Sequence, residues 1–168
     1  MSLIIVSGGQ TGMDRAALDV AIHLGLQHRG WCPKNRKAEN GVIDSQYNLS
    51  ETESEDYEER TLLNIRDSDA TLVVVTERCD VQSISDGTKL TVQQLIDVSK
   101  PYIVVTVSDS EDQDMISLAK GLKWLAEVKP KVLNIAGPRE STVPGIHDKS
   151  YHYLKLLLAR KQLSLYIN

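Results

Sequence analysis

The sequence has 168 residues, a formal net charge of −4 at pH 7, two cysteines and 5% aromatic residues. A chain of this length buries about two thirds of its unfolded surface, so we expect one domain, residues 1–168, that needs no structural metal or disulfide. The acidic balance and the scarcity of aromatic side chains argue against a nucleic-acid-binding protein. The widely spaced cysteines, with neither a signal peptide nor a long apolar run, predict a cytoplasmic protein without membrane contact.

The stretch LIIVSGGQTGMDRAALD places a short apolar strand, 3–6, directly before glycines and a helix. Glycines allow a sharp turn and close approach to a ligand, while the first N–H groups of a helix lack partners and attract anions. We therefore predict a bound phosphate here. The spacing is neither the dinucleotide-binding nor the Walker pattern, and a simpler interpretation is a helix capped by Thr11 and Asp14. The residues predicted to contact the phosphate are Gly8, Gly9, Gln10, Thr11, Gly12 and Arg15.

The first helix is predicted to stop at Gly25, and a second strand covers roughly 28–32. The segment 34–54 that follows has neither helical nor strand periodicity. Because loops of this length are usually functional or disordered, we interpret it as an ordered lid that docks through Trp31, Tyr47 and Leu49 and becomes more ordered with ligand. Two basic residues of this segment follow the end of the second strand and are predicted to close over the phosphate. These residues are Lys34 and Arg36.

The rest of the chain alternates helices and strands. The run ATLVVVT is apolar throughout, as in a parallel strand that is buried on both faces. A Gly-rich turn, Asp86–Thr88, then begins a helix. The other elements predicted from periodicity are helices over 55–67, around 115–125 and over 147–165, and strands over 102–107 and 132–137.

Five strands alternating with helices predict an α/β fold, a doubly wound Rossmann-like three-layer sandwich with a five-stranded mostly parallel sheet. Numbering the strands along the chain, we predict the order 2-1-3-4-5. The ligand crevice would then lie between the first and third strands, where the turn after the third strand faces the SGGQTG turn. The second set of predicted ligand contacts is Asp86, Gly87 and Thr88.

Four stretches together resemble the molybdenum-cofactor carrier protein family: SGGQTGMDRAALD, GWCPKNRKAENG, YEERTLLNIRDSDATL and NIAGPRESTVPGI. The resemblance extends from Ser7 to Ile146. The family is similar to a wider Rossmann-like group that contains nucleotide phosphoribohydrolases formerly called lysine decarboxylases. The resemblance implies a homo-oligomer, a dimer or tetramer, that binds the molybdenum cofactor (molybdopterin), a phosphorylated pterin, or another phosphorylated small molecule.

Two departures from the related motifs bear on function. The hydrolases read PGGxGTxxE with a catalytic Glu, whereas SISDGTKLT places Thr91 there, and a threonine cannot act as a carboxylate base. Asp86 replaces a glycine usual in the carrier family and adds negative charge. The leading hypothesis is a carrier that sequesters its ligand. The alternatives are a nucleotide or nucleoside-monophosphate hydrolase using Arg15 with Glu39, Glu51 or Asp86, and a nucleotide sensor or scaffold without catalysis.

Other residues have competing interpretations. Arg60 and Asn64, one helical turn apart, contact the ligand or pair with acids of their own helix. Arg139 and Ser141 follow the fifth strand, which the predicted order places away from the crevice, so they could equally serve a subunit interface. Cys32 is interpreted as a packing residue rather than a sulfur ligand for molybdenum. The histidines lack metal-ligand spacing.

Overall fold

The computed structural model describes residues 3–76 and 86–164, and within them the central sheet has five strands. In chain order the strands are β1 (Ile4–Val6), β2 (Gln27–Arg29), β3 (Trp31–Cys32), β4 (Lys37–Ala38), β5 (Gly41–Val42), β6 (Ser50–Glu51), β7 (Ala70–Thr76), β8 (Tyr102–Val107) and β9 (Val132–Ala136). The helices are α1 (Met13–His23), α2 (Tyr57–Arg66), α3 (Asp86–Asp97), α4 (Glu111–Val128) and α5 (Ile146–Ser164), with a 3₁₀ turn at Lys34–Arg36.

The central sheet is parallel and has the order β2-β1-β9-β7-β8. The predicted doubly wound Rossmann-like class is confirmed. The predicted order 2-1-3-4-5 is wrong, because the last strand, β9, lies between β1 and β7. Counted from β9, the strands follow the order 3-2-1-4-5 of dinucleotide-binding folds, so the switch point lies between β9 and β7.

Polar side chains at the centre of the sheet explain why local hydrophobicity did not reveal this order. Buried Asn134 of β9 donates from Nδ2 to Thr71 Oγ1 of β7 at 3.2 Å. On the other side, Ser7 Oγ donates to the carbonyl of Ile135 at 2.8 Å. The Asp69 carboxylate accepts the N–H groups that precede and begin β9, at 2.8 and 2.9 Å. These contacts between distant segments favour β9 as the middle strand, and periodicity does not report them.

Helices cover both faces of the sheet. On one face, α1, α4 and α5 pack together over the larger core, to which they contribute Val20, Leu118 and Leu154. On the other face, α2 and α3 cover a smaller core that includes Ile65 and Leu95. In the described ranges, no helix has an apolar stretch long enough to cross a membrane.

The two ends of α1 differ in how well the sequence predicted them. The predicted stop is confirmed: the N–H groups of Gly25 and Leu26 donate to the carbonyls of Ile22 and Ala21, at 3.1 and 2.8 Å, which closes the helix. The interpretation of Thr11 as the cap is wrong. The capping position is Gly12, with φ 74°, and no side chain caps the helix there.

The predicted second strand, 28–32, divides into two. β2 ends at Arg29, and the chain leaves the central sheet after Gly30. β3 then pairs in parallel with β6 in a separate two-stranded sheet. Segment 34–54 is also more regular than expected, because it contains the 3₁₀ turn, the antiparallel β4–β5 hairpin and β6.

Segment 34–54 is docked on the rest of the protein. Ile43 and Tyr47 are buried and pack with Leu18 and Cys32. Docking through Tyr47 is therefore confirmed, as is packing as the role of Cys32. Trp31 does not take part, since its indole N–H donates to Asp67 at 2.8 Å instead.

Candidate functional site

A cavity of about 190 Å³ lies at the carboxyl ends of β1 and β9, beside the first turns of α2. We call it the crevice cavity. This is the edge where doubly wound sheets bind ligands. Its lining residues are Gly8, Gln10, Asp14, Tyr57, Glu58, Arg60, Thr61, Asn64, Leu90, Thr91, Asn134, Ile135, Ala136, Gly137 and Arg139.

An ion pair dominates one wall of the crevice cavity. Arg60 Nη1 of α2 lies 2.6 Å from Asp14 Oδ2 of α1, and the two side chains are 15% and 5% exposed. Gly8 leaves room for this pair in its present position, because a Cβ atom there would displace the Arg60 guanidinium. The residue choice at position 8 therefore brings a buried guanidinium to the strand ends.

Arg60 keeps donor capacity beyond this ion pair. Its Nε is buried and has no hydrogen-bond partner among the described residues. Leaving a buried donor unsatisfied costs about 1–3 kcal/mol, so native proteins seldom do so without a reason. An anion in the crevice would supply the missing acceptor.

The polar amides near Arg60 are held in place. Asn64 accepts the Trp31 N–H at 2.7 Å and donates to the Trp31 carbonyl at 3.0 Å. Asn134, on the opposite wall, is fixed by Thr71 as described above. Both therefore line the cavity in defined orientations.

The predicted anion turn makes most of its contacts with the protein itself. The Gln10 N–H donates to Asp14 Oδ2 at 3.3 Å, and the Thr11 N–H to Gln10 Oε1 at 3.0 Å. The Met13 N–H, at the start of α1, donates to the Pro138 carbonyl at 3.1 Å. Of the six residues predicted around this turn, Gly8 and Gln10 line the crevice cavity, so phosphate contact along the whole turn stays a prediction.

Side chains of the lid cover Gly9, since a Cβ atom there would lie 2.7 Å from Leu49 Cδ1. Arg15 lies on the far side of the turn. Its Nη2 donates to the Gly9 carbonyl at 3.0 Å, and its guanidinium lies 5.9 Å from the centre of the Tyr47 ring. Arg15 therefore does not line the crevice cavity.

The two basic residues of the lid that were predicted to contact the phosphate also lie away from the crevice cavity. Arg36 donates four hydrogen bonds, of 2.8–3.3 Å, to backbone carbonyls within residues 43–49. It holds the lid together, and its predicted phosphate contact stays a prediction that these bonds disfavour. Lys34 is exposed.

The second predicted turn, Asp86–Thr88, lies where the described residues resume and forms the start of α3. That helix begins at Asp86 and continues through Gly87 and Thr88, and Thr88 is buried. Leu90 and Thr91 of the same helix line the crevice cavity. The threonine at the position of the hydrolase glutamate therefore lies in the cavity wall.

A second cleft, of about 590 Å³, lies on the other side of the glycine turn. Within it, the Glu39 carboxylate accepts the hydroxyl groups of Thr11 and Ser141 and the Ser141 N–H at 3.1 Å. Arg139 Nε lies 3.8 Å from the same carboxylate. We call these four residues the Glu39 clasp. The cleft is lined by Thr11, Gly12, Arg15, Glu39, Asn40, Glu140, Ser141 and His147.

A hydrogen-bonded network of three side chains, His147, Asp19 and Tyr47, borders this cleft. His147 Nε2 lies 2.9 Å from Asp19 Oδ2, and the Tyr47 hydroxyl donates to Asp19 Oδ1 at 2.7 Å. The hydrogen bond to Asp19 raises the pKa of His147 to about 9, although burial acts against it. Burial would raise the pKa of Asp19, but hydrogen bonds from His147 and Tyr47 bring it below its ordinary value. The pair is therefore ionised at neutral pH.

Metal binding by a cluster of protein ligands finds no support in the described part of the chain, where no three His, Cys, Asp or Glu side chains are grouped for it. The main residues that sequence reasoning undervalued are Arg60, Asn64, Asn134 and Arg139. Arg60 and Asn64 had a signal, their spacing of one helical turn. Arg139 was discounted because the predicted order placed β9 away from the crevice, and Asn134, on that strand, was not considered.

Comparison with known proteins agrees with this geometry. A family model described as the circularly permutated YpsA SLOG family matches residues 5–158. The chain belongs to this family. A circular permutation agrees with the sheet, whose strands follow the usual dinucleotide-binding order only when counted from β9.

A solved structure gives a second comparison. The crystal structure of a "Putative molybdenum carrier protein" from Syntrophus aciditrophicus SB, at 1.45 Å resolution, is 35% identical to this chain. The match covers 94% of this chain and 95% of that one, with a TM-score of 0.81. The resemblance to the carrier family is therefore confirmed. Comparison with curated proteins gave no match.

Proposed function

We propose that this protein is a carrier that binds a small phosphorylated ligand in the crevice cavity, and that the ligand is the molybdenum cofactor. The observation that carries the proposal is the buried Arg60 guanidinium, whose Nε has no acceptor among the described residues. Guanidinium groups bind phosphate oxygens through charge-assisted hydrogen bonds. The likeness to a protein named as a molybdenum carrier supports the ligand class.

Helix placement strengthens the case for an anion. The first two turns of α2 and α3 contribute lining residues, among them Tyr57 and Thr91. Helix N-termini carry partial positive charge and stabilise a nearby anion by about 0.3–2 kcal/mol. Arg139 adds a second guanidinium, while Asp14 and Glu58 add negative charge. We therefore expect the positive groups to attract an anion through direct contacts with its phosphate, and not through a positively charged surface around the cavity.

The donors present suit the phosphorylated pterin part of the cofactor. Arg60 and Arg139 would hold the phosphate, and the fixed amides of Asn64 and Asn134 would meet polar ring edges. Ligand pockets usually measure about 300–1,000 Å³, so the crevice cavity accommodates one end of such a ligand. The bound cofactor would supply an oxo-molybdenum centre for delivery to another protein. The mechanism proposed for this chain is sequestration, in a cytoplasmic homo-oligomer.

One observation favours a second candidate, a nucleotide hydrolase: Glu58 lines the crevice cavity and could act as a carboxylate base. Two of the three acids first considered fit less well, because Glu39 is held in the second cleft and Glu51 is exposed on β6. Ribose phosphate release from adenosine monophosphate tests this candidate. Enzyme-like turnover that is lost in Glu58→Gln would replace the carrier proposal, whereas we expect none.

Native mass spectrometry of gently purified protein tests the proposal directly. We expect a retained phosphorylated compound on the wild-type protein and its loss in Arg60→Gln. The matched control is Arg66→Gln, because Arg66 lies on the same helix but is 61% exposed and pairs with Asp67. Retention that is the same in both variants would exclude the crevice cavity as the binding site.

A further inference from the structure

Several donors from separate segments converge on one carboxylate in the second cleft. Glu39, in the turn between β4 and β5, accepts hydrogen bonds from the Thr11 hydroxyl and from the hydroxyl and N–H of Ser141. Arg139 adds a guanidinium 3.8 Å away. Thr11 precedes α1 and Ser141 precedes α5, so the donors come from two distant parts of the sequence.

The Thr11 donor is positioned independently of Glu39. The Thr11 hydroxyl oxygen accepts the Glu140 N–H at 3.2 Å, which leaves the hydroxyl proton directed to another acceptor. The backbone of Glu39 is anchored separately, because its N–H donates to Gln10 Oε1 at 3.0 Å. The Glu39 side chain can therefore rotate out while the hairpin stays in place.

We propose that these donors form a second phosphate-binding site, which the chain's own Glu39 carboxylate occupies until an incoming phosphate group displaces it. A carboxylate and a phosphate offer similar anionic oxygens to hydroxyl, N–H and guanidinium donors. The inference rests on the proposed function for its ligand class. Arg139 joins the two sites, because it lines the crevice cavity and also faces Glu39.

The electrostatics of the cleft agree with an anion site. Burial acts in the opposite direction, but hydrogen bonds from Ser141 and Thr11 hold the pKa of Glu39 below its ordinary value. The surroundings therefore stabilise a negative charge. The volume, about 590 Å³, also falls within the usual range of ligand pockets. Glu39 already docks segment 34–54 on the rest of the protein. Phosphate binding in this cleft would therefore release the Glu39 side chain, and it would not order the segment as the sequence predicted.

Calorimetric titration with inorganic phosphate tests the site in the full chain. Glu39→Gln should create a binding event at least about tenfold tighter than any in the wild-type protein, because the competing anion is gone. Glu51→Gln is the matched control, since it removes one exposed charge from the same segment and should behave as wild type. Adding Ser141→Ala to Glu39→Gln should abolish the gain.

Two results would overturn the proposal: Glu39→Gln binding phosphate no tighter than Glu51→Gln, or a gain that survives Ser141→Ala. Either would make the Glu39 clasp a structural latch only. If Glu39→Gln does not fold, NMR of the wild-type protein decides. Phosphate should then shift the Ser141 amide and the Glu39 carboxyl carbon, and unchanged signals for both would refute the second site.

The two proposals fail separately. Adding Arg60→Gln to Glu39→Gln should leave the new binding event intact, since Arg60 does not line the second cleft. Loss of wild-type ligand retention in Arg60→Gln, in contrast, concerns the crevice cavity alone. If only the Arg60→Gln test gives the expected result, the crevice cavity stands and the second site falls. If only the Glu39→Gln test does, the second site stands and the crevice cavity falls.

Discussion

The crevice cavity and the Glu39 clasp lie on opposite sides of one glycine turn. They differ in whether the protein itself supplies an acceptor for each hydrogen-bond donor. In the cavity, Arg60 has one acidic partner and a buried Nε without an acceptor among the described residues. In the clasp, the chain supplies its own carboxylate, Glu39, to the hydroxyl groups of Thr11 and Ser141 and to the Ser141 N–H. The proposed second site requires that donors already satisfied by the protein can still bind a ligand once their side-chain acceptor, Glu39, leaves.

The largest effect is expected from removing the cavity's cation. Arg60→Gln should weaken pyrophosphate binding by about 100-fold, because it loses charge-assisted hydrogen bonds worth about 1.5–3 kcal/mol each. Glutamine is too short to reach Asp14 in place of Arg60 Nη1, so thermal denaturation must first show that the variant is folded. Calorimetry checks the affinity, and Arg66→Gln should match wild type. Equal affinity in all three proteins would remove the distinction between the two regions.

The glycine turn that separates the regions can be tested by a matched pair. Gly12 and Gly25 both have positive φ, 74° and 65°, but a Cβ atom at Gly12 would lie 2.7 Å from backbone atoms of Pro138 and Glu140, whereas the space at Gly25 is open. We expect Gly12→Ala to lower the free energy of unfolding by about 3 kcal/mol and Gly25→Ala by about 1 kcal/mol. Urea denaturation measures both. Equal losses would show that φ alone, and not contact with the 138–140 backbone, decides the cost.

Arg36, in the lid, already donates most of its N–H groups to backbone carbonyls of the protein. Arg36→Gln should lower the free energy of unfolding by about 2 kcal/mol and increase hydrogen exchange in residues 43–49, because it removes up to four hydrogen bonds to their carbonyls. Lys34→Gln, at an exposed position, should change stability by less than about 0.5 kcal/mol. If Arg36→Gln instead weakened only phosphate binding, the sequence-based ligand role would be restored.

The smallest effect is expected from the charged pair beside the second cleft. The pKa of His147 is raised from 6.5 to about 9, so the folded state binds a proton that the unfolded state releases between these values. The stabilisation is complete below pH 6.5 and is lost as the pH rises to 9. The lowered pKa of Asp19 adds a contribution that is lost only when the pH falls below about 4.

Thermal denaturation at pH 6 and pH 9 measures this contribution. The wild-type protein should lose about 1–2 kcal/mol over that interval, after allowing for partial solvent exposure, and His147→Gln should lose much less. His152→Gln, an exposed position on the same helix, is the control and should follow the wild-type curve. A wild-type profile that is flat over this interval would contradict the ion pair.

The sequence predicted most elements because their signals are local. Gly25 stopped α1, the uninterrupted apolar run 70–76 formed β7, and the carrier resemblance agreed with the family. The order of strands could not be obtained in this way. It depends on contacts such as Asn134 with Thr71, which join residues 63 positions apart in the sequence.

The error in strand order also explains the error in weighting the site. With β9 placed at the edge of the predicted sheet, Arg139 fell outside the expected crevice. Arg36 in fact serves the backbone of its own segment, a role that a charge pattern cannot distinguish from phosphate binding. The predicted glycine turn borders the crevice cavity through Gly8 and Gln10, because β1 and α1 are adjacent in sequence.

An NMR titration with pyrophosphate tests the central claim, that the crevice cavity binds the phosphorylated ligand. The account predicts that the earliest and largest amide shifts occur at Gly8, Asp14, Asn64 and Gly137, around Arg60, and that they disappear in Arg60→Gln. Shifts confined to the lid around Lys34 and Arg36, or unchanged by Arg60→Gln, would contradict it.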